Sequence, residues 1–116
     1  MRHRKSKKIL GRTKQPREMM LRNLAASIII YEKVKTTQSK AKAARPLVEK
    51  TITISKQNNL IARRKLMQLI PQPLAVKKLM EVINKRYSDR QSGYTRIIKL
   101  NQRAGDSAVL AQIELV

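Results

Sequence analysis

The stretch YTRIIKLNQRAGDSAVLAQIEL, residues 94–115, decides the expected fold. Residues 94–100 are rich in β-favouring side chains, and Val109, Ala111, Ile113 and Leu115 alternate with the polar Gln112 and Glu114. The polar segment between these two runs, residues 101–107, contains Gly105-Asp106 and is typical of a loop. Residues 94–115 therefore predict an antiparallel β-hairpin.

Helical periodicity begins well before this hairpin. An apolar stripe predicts a first helix of about 14 residues from Arg17, with Pro16 suited to the helix start. The stripe consists of Met20, Leu24, Ile28 and Tyr31. Residues 33–37 then alternate polar and β-favouring side chains, and they predict a short strand with a positively charged face.

Three further helices are expected between this strand and the hairpin. Ser39 is the expected N-cap of a helix that runs towards Lys56, and Pro46 inside it should kink the helix or delay its regular part. Residues 57–59 predict a turn and a cap before the next helix, and Pro73 fits the first turn of the last one. The apolar stripe of that last helix is Ala75, Leu79, Val82 and Ile83. The order α, β, α, α, α, β, β predicts an α/β (α+β) fold, in which helices cover one face of a small three-stranded sheet.

Charge limits the function classes open to this chain. Its 116 residues carry 27 Lys or Arg against 7 Asp or Glu, a net charge of +20, while 41% of the residues are hydrophobic. The hydrophobic fraction predicts a folded core. The positive charges repel one another, which predicts a permanently bound polyanionic partner such as nucleic acid or an anionic membrane. Residues 1–17 hold eight cations and no acid, and the remaining 19 cations and seven acids leave +12 elsewhere.

The uneven charge predicts two regions. Residues 1–16 should form an extended basic tail that orders on a polyanion, because they contain too few apolar side chains to pack. A merely solubilising tail remains an alternative. Residues 17–116 should form a single globular domain, since a chain of this size can hold one core.

Catalysis and metal binding are not expected. The chain has no cysteine, one histidine, three separated glycines and seven acids that are scattered singly. These residues offer no thiolate or imidazole metal set, no glycine-rich phosphate loop and no local acid–base pair. We therefore expect no enzyme, cofactor, metal or small-molecule substrate. The apolar stretches are also too short for a membrane span, and the basic start does not resemble a secretory signal.

The basic residues favour recognition of phosphate and shape. Aromatic residues make up only 3% of the chain, which disfavours a platform of stacked aromatic rings for single strands. Lys and Arg occur in every segment instead, and they suit contacts with the nucleic-acid backbone.

One set of motifs runs along nearly the whole chain. The motifs are Met1-Arg2-His3, Leu10, Arg12, Arg17, residues 21–24 (LRNL), residues 35–37 (KTT), residues 40–42 (KAK), Arg63-Arg64, residues 93–99 (GYTRIIK), Arg103, Gly105-Asp106, Ala108 and residues 113–116 (IELV). Together they resemble the bacterial large-subunit ribosomal protein L-seventeen family. Residues 93–97 (GYTRI) are the most specific of these. The sequence departs from the family pattern at residues 14–16, Ser92, Asn101-Gln102 and Pro46, so individual contacts need not be shared.

This resemblance implies an α/β sandwich with a small mixed sheet. It also implies a structural constituent of the large ribosomal subunit that binds large-subunit (23S-type) rRNA near the exit tunnel, supports subunit assembly and translation, and contacts neighbouring ribosomal proteins, among them L-thirty-two. The location would be a cytoplasmic ribosome, with an organellar ribosome left open.

Basic charge and the resemblance together give one set of expected RNA-binding residues. The set comprises Arg2, His3, Arg4, Lys5, Lys7, Lys8, Arg12, Lys14, Arg17, Arg22, Lys35, Thr36, Thr37, Lys40, Arg63, Arg64, Arg90, Tyr94, Arg96 and Arg103. A DNA-compacting architectural protein is the alternative that charge alone leaves open, although no helix-turn-helix pattern supports it.

Overall fold

The structure, a computed structural model, describes Leu10 and residues 13–116. Within these residues, four helices and three strands follow one another in the predicted order. The helices are α1 (Lys14–Tyr31), α2 (Gln38–Ser55), α3 (Leu60–Leu69) and α4, which comprises Pro73–Lys78, a π-helical turn at Leu79–Ile83 and a last α-helical turn at Asn84–Arg86. The strands are β1 (Lys33–Thr37), β2 (Thr95–Gln102) and β3 (Val109–Leu115).

The sheet has the order β1-β3-β2, and both strand pairings are antiparallel. The predicted hairpin and the α+β class are confirmed, but the mixed sheet implied by the resemblance is wrong. The central strand, β3, lies between the two others because β2 turns back on it and β1 pairs with its free edge. The register pairs Lys33 with Glu114 across one edge, and Arg96 with the same Glu114 across the other.

The core lies between one face of this sheet and the helices. From the sheet it takes Ala111 and Ile113, and from α1 and α2 it takes buried residues such as Ile28 and Ile52. Many core positions on the helices are alanines, so α1 and α2 can pack closely. The helices of the described residues share this one core with the sheet, and the other face, here called the open face, bears the exposed Lys33 and Lys35 of β1.

Helix α1 begins at Lys14, three residues before the predicted start, so Pro16 lies within its first turn. A prolyl residue is tolerated there, because first-turn N–H groups have no partner within the helix. Most of the predicted tail, residues 1–9 and 11–12, lies outside the described residues. The division into a tail and a globular domain stays a prediction.

One prediction about α2 is wrong: its N-cap is Thr37 rather than Ser39, because the Thr37 hydroxyl accepts a hydrogen bond from the backbone N–H of Lys40 at 3.4 Å. The helix continues through Pro46, so its regular part is not delayed, and the alternative of a kink at Pro46 stays a prediction. Pro46 is exposed, which leaves water free to hydrate the carbonyl whose helical partner it removes. The predicted turn and cap at residues 57–59 are confirmed, because Asn59 Oδ1 accepts from Ala62 N at 2.7 Å.

The π-helical turn alters the predicted stripe of α4. The backbone N–H of Asn84 donates to Leu79 O instead of Met80 O, and the Asn84 side chain donates to Met80 O at 2.7 Å. The extra residue in this turn rotates the remainder of the helix. Ile83 is therefore buried, whereas Val82, expected in the core, is 45% exposed.

Candidate nucleic-acid interface

One end of the sheet gathers several basic residues. Thr37 pairs with Leu110 at the point where β1 ends and β3 begins, so the first turn of α2 and the hairpin loop lie at the same end. Lys40 lies three residues after the capping residue Thr37. Lys42, two residues after Lys40, is exposed. Lys99 and Arg103 are exposed on the hairpin. This end of the sheet therefore joins cations from positions about 60 residues apart in sequence.

Lys35, Thr36 and Thr37 have different environments within β1. Lys35 is exposed and forms no ion pair with any residue that the structure describes, so its charge is available to a ligand. Thr36 is half-buried, and the hydroxyl of Thr37 caps α2. Of these three expected RNA-binding residues, Lys35 has the most accessible side chain.

On the open face of the sheet, Glu114 lies between two cations. Arg96 Nη2 donates to Glu114 Oε1 at 2.9 Å, and Lys33 Nζ lies 3.9 Å from Oε2 on the other side. The Glu114 side chain is only 5% exposed, whereas those of Arg96 and Lys33 are 59% and 69% exposed. Arg96 can therefore hold Glu114 while its outer surface remains open to a further anion.

Arg90 and Arg103 are also exposed, and each has a local partner. Arg90 Nη1 donates to Gly93 O at 2.9 Å, which fixes the approach to β2. Arg103 Nε donates to Asp106 Oδ1 at 3.1 Å. The hydrogen bond from Arg103 lowers the pKa of Asp106 to about 2, with further help from the backbone N–H of Ala108. Arg103 therefore carries a charge that the hairpin loop partly neutralises.

Helices α1 and α3 contribute further cations. Lys14 is exposed in the first turn of α1, while Arg17 and Arg22 are half-buried. Arg63 and Arg64 are exposed on α3. None of these five residues has an acidic partner within the described part of the chain.

The starts of the helices repeat one electrostatic pattern. The first turns of α1, α2 and α3 contain no acid, and each contains Lys or Arg instead. A helix N-terminus carries a partial positive charge, so cations there are unfavourable until an anion arrives. Phosphate groups suit such positions, because exposed N–H groups and cationic side chains can bind them together.

Tyr94 has a structural role, contrary to the prediction that it contacts RNA. Its side chain is fully buried, its ring centroid lies 5.2 Å from that of Tyr87, and Lys56 Nζ lies 4.7 Å from the same ring. Its hydroxyl donates to Gln91 O at 2.8 Å and approaches Arg90 O at 3.2 Å. The ring is thus part of the core and holds the turn that precedes β2. The sequence could not distinguish this role from stacking on a base.

Two glutamates join elements of the fold behind the interface. Glu49 on α2 accepts from the backbone N–H groups of Tyr94 and Thr95 at 3.1 and 3.2 Å, which attaches the start of β2 to the helix. Glu32, at the end of α1, accepts from Arg86 and from Lys78, whose Nζ lies 3.0 Å from Oε2. Local sequence patterns could not show this role of Glu49, because its partners at the start of β2 lie about 45 residues away in sequence.

The Glu32 cluster has a defined protonation state. Hydrogen bonds from Arg86 and then from Lys78 lower the pKa of Glu32 to about 2, and Glu32 in turn raises the pKa of Arg86. Lys78 also donates to Ile30 O at 2.9 Å. These contacts connect α1 with α4, so Lys78 and Arg86 are engaged within the protein and are weaker candidates for phosphate binding than Lys35 or Lys40.

The expected RNA-binding residues fall into three groups. Those outside the described residues are Arg2, His3, Arg4, Lys5, Lys7, Lys8 and Arg12. Those with an accessible or half-buried cationic side chain are Lys14, Arg17, Arg22, Lys35, Lys40, Arg63, Arg64, Arg90, Arg96 and Arg103. The remaining three, Thr36, Thr37 and Tyr94, have half-buried or buried side chains. The prediction omitted Lys42 and Lys99, although KAK and GYTRIIK already contained them.

Within Leu10 and residues 13–116 no three metal-ligating side chains lie together, and none of the helices there is long and apolar enough to span a membrane.

Comparison with known proteins identifies the family. The family model described as Ribosomal protein L17 matches residues 20–116. The chain belongs to the ribosomal protein L17 family. A large ribosomal subunit protein bL17 from Hydrogenobaculum sp. is 44% identical over 117 residues, covering all of this chain and 99% of that protein. Proteins of the same name from Syntrophotalea carbinolica and Orientia tsutsugamushi are 47% and 48% identical over the full chain, and the matches cover 75% and 80% of those proteins.

Membership in the L17 family confirms the resemblance on which the sequence-based prediction depended. It also confirms that this chain is a ribosomal protein rather than an enzyme. The alternative of a DNA-compacting protein explained the charge alone, whereas the L17 family accounts for the charge together with the motifs.

Proposed function

We propose that this L17-family protein is a structural constituent of the large ribosomal subunit that binds 23S-type rRNA and supports subunit assembly. In this proposal, residues 1–16 and the basic surface of the globular part make the RNA contacts. The protein lies on the solvent side near the exit tunnel and has ribosomal protein L-thirty-two as a neighbour.

The observation that carries this proposal is that most acidic side chains already form hydrogen bonds or ion pairs within the chain. Glu32, Glu49, Glu114 and Asp106 are occupied by contacts within the chain, so four of its seven acids are engaged. Within the described residues, cations without acidic partners then lie at the helix starts and at Lys35 of β1. A polyanion is the ligand that best relieves such repulsion.

The expected mechanism is attachment by phosphate contacts. Residues 1–16 act as an electrostatic staple between rRNA helices, because they carry a dense positive charge and few apolar side chains. The folded part then covers the outer surface of the RNA, using Lys35, Lys40 and the hairpin cations as a second set of contacts. Shape and phosphate contacts suffice here, since two of the three tyrosines are buried.

Salt-dependent binding tests the proposed function. Each phosphate that the protein neutralises on a duplex-like site should contribute a slope of about −0.9 to log K against log salt. We expect purified protein to bind large-subunit rRNA with a steep salt dependence and to co-sediment with large subunits after DNase treatment. A nearly flat salt response, or loss of co-sedimentation after DNase alone, would contradict rRNA binding.

Removal of the basic N-terminal residues tests the staple. Deletion of residues 2–12 leaves α1 intact together with its capping position Thr13. We expect weaker incorporation into subunits with an unchanged circular dichroism spectrum. A matched full-length control replaces the six cations of residues 2–12 with glutamine, which separates charge from chain length. Equal incorporation of both variants and the intact protein would exclude the staple.

A further inference from the structure

Helices α3 and α4 enclose an apolar groove that the RNA-binding role does not explain. The groove is lined by Arg63, Met67, Ile70, Pro71, Pro73 and Val76 and has a cavity of about 100 Å³. Ile70 and Val76 form its buried base, each 2% exposed, whereas Met67 on its rim is 61% exposed. On the same measure a single water molecule needs about 10–15 Å³, so the space is large enough to admit one large apolar side chain.

Exposed apolar side chains extend the groove surface along α3. Leu60, Arg63 and Met67 share one helix face because they are three and four residues apart. Leu60 is 62% exposed, and Leu74 in the first turn of α4 is 61% exposed. A concentration of large apolar side chains in water, rimmed by charge, marks a protein interaction site more often than a nucleic-acid site.

The charge of the groove indicates the chemistry of its occupant. Arg63 is the one charged residue in the lining, and no acid of the described chain pairs with it. Arg64 and Lys65 follow it on the same helix, and both are exposed. An apolar segment that brings a carboxylate would satisfy Arg63 and bury the apolar surface together. A phosphate backbone would satisfy Arg63 but leave Met67 and Leu60 in water.

We propose that the α3–α4 groove docks an apolar, carboxylate-bearing segment of a neighbouring protein in the large subunit. A side chain of this segment fills the space above Ile70 and Val76, and its carboxylate pairs with Arg63, which then contacts protein instead of the RNA expected from the sequence. This proposal rests on the proposed function, because it places the neighbour within the assembled subunit.

The absence of cysteine from the chain allows a direct test in assembled subunits. The variant Met67→Cys receives a benzophenone maleimide, and irradiation then links the probe to whatever covers the groove. Gln68→Cys is the matched control, since the neighbouring exposed residue points about 100° away around the helix. Pro71→Cys, an exposed position on the opposite rim, provides a second attachment point.

We expect a protease-sensitive, RNase-resistant adduct from the Met67 and Pro71 positions and little from Gln68. Mass spectrometry should map the adduct to a peptide of a subunit protein with apolar residues beside Asp, Glu or a C-terminal carboxylate. Arg63→Glu should lower the adduct yield per incorporated protein about tenfold, the effect of losing one charge pair, whereas Lys65→Glu should leave it nearly unchanged, since Lys65 is exposed and outside the expected RNA-binding set.

Four results would overturn the proposal. An RNase-sensitive adduct would mean that rRNA covers the groove, and no adduct above the Gln68 control would mean that the groove stays open. A peptide without a carboxylate, or a yield unaffected by Arg63→Glu, would remove the role of Arg63. Failure of the unmodified protein to co-sediment with large subunits would instead contradict the proposed function, so the two failures are distinguishable.

Discussion

Glu49 binds Thr95 by two hydrogen bonds: the backbone N–H and the hydroxyl of Thr95 donate to Glu49 Oε1 at 3.2 and 2.9 Å. The second oxygen, Oε2, accepts from the backbone N–H of Tyr94 at 3.1 Å. One carboxylate on α2 therefore satisfies the first polar groups of β2, where Thr95 and Tyr94 are buried. This contact fixes the strand that carries Arg96 against the helical layer.

Replacement of Glu49 should strongly destabilise the fold. Glu49→Ala leaves two buried N–H groups and a hydroxyl without an acceptor, which costs about 2–3 kcal/mol of unfolding free energy. We expect the Tm to fall by about 10 °C or more, measured by circular dichroism. Glu81→Ala is the control, because Glu81 is exposed and has no ion pair in the described chain, so its effect should stay within about 0.5 kcal/mol. Equal effects of both variants would contradict the anchoring role of Glu49.

The Glu32 cluster predicts a loss of stability in acid. Since Arg86 and Lys78 lower the pKa of Glu32 from 4.5 to about 2, its ionised form stabilises the folded state above pH 4.5. This contribution is lost as the pH falls from about 4.5 towards 2. Glu32→Gln should therefore be less stable than the unchanged protein at pH 6, and the difference should shrink across this window in urea titrations.

Asp106→Asn is a useful comparison for the acid titration. The pKa of Asp106 is also lowered to about 2, but its side chain and that of Arg103 are 56% and 51% exposed, so water screens the pair. We expect a smaller effect than that of Glu32→Gln at pH 6. A difference for Glu32→Gln that is independent of pH between 6 and 2 would contradict the assigned role of its ionised form.

Removal of the Tyr94 hydroxyl should lower the stability of the fold and leave the affinity for RNA unchanged. Tyr94→Phe loses the hydrogen bonds to Gln91 O and Arg90 O, so it should cost about 1 kcal/mol of unfolding free energy. The Kd for large-subunit rRNA at fixed salt should stay the same, because the side chain is buried. A clear loss of affinity in a variant that remains folded would show that Tyr94 acts in RNA binding after all.

Replacing a cation that has an ion pair should change the salt dependence of rRNA binding less than replacing a cation without an acidic partner. Lys40→Gln should reduce the magnitude of the salt slope by about 0.9, because Lys40 has no acidic partner within the described chain. Arg103→Gln should reduce it less, since Arg103 already pairs with Asp106. Filter binding to large-subunit rRNA between 50 and 300 mM salt measures both slopes. A larger effect of Arg103→Gln would contradict this ranking.

Local patterns in the sequence predicted the elements of the fold because periodicity depends on near neighbours. Alternation in residues 109–115 and the β-favouring run of residues 94–100 predicted the hairpin, and Pro73 predicted the start of α4. The errors at Ser39 and Val82 have one kind of cause. Helix packing decides whether Thr37 or Ser39 caps α2, and it also decides whether α4 contains the π-helical turn at Leu79–Ile83. Sequence periodicity carries no information about this packing.

The sequence by itself determined the element order, the α+β class, the excess of positive charge and the family, because composition, periodicity and motifs are properties of the linear chain. Only the tertiary structure decided which residues face inwards and which acids are already paired. Glu32 binds Arg86 and Glu49 binds Thr95, although the two pairs are 54 and 46 residues apart in sequence. Such contacts depend on how the helices lie on the sheet. For the same reason the fold assigned Tyr94 to the core and left Lys35 and Lys40 as cations available to RNA.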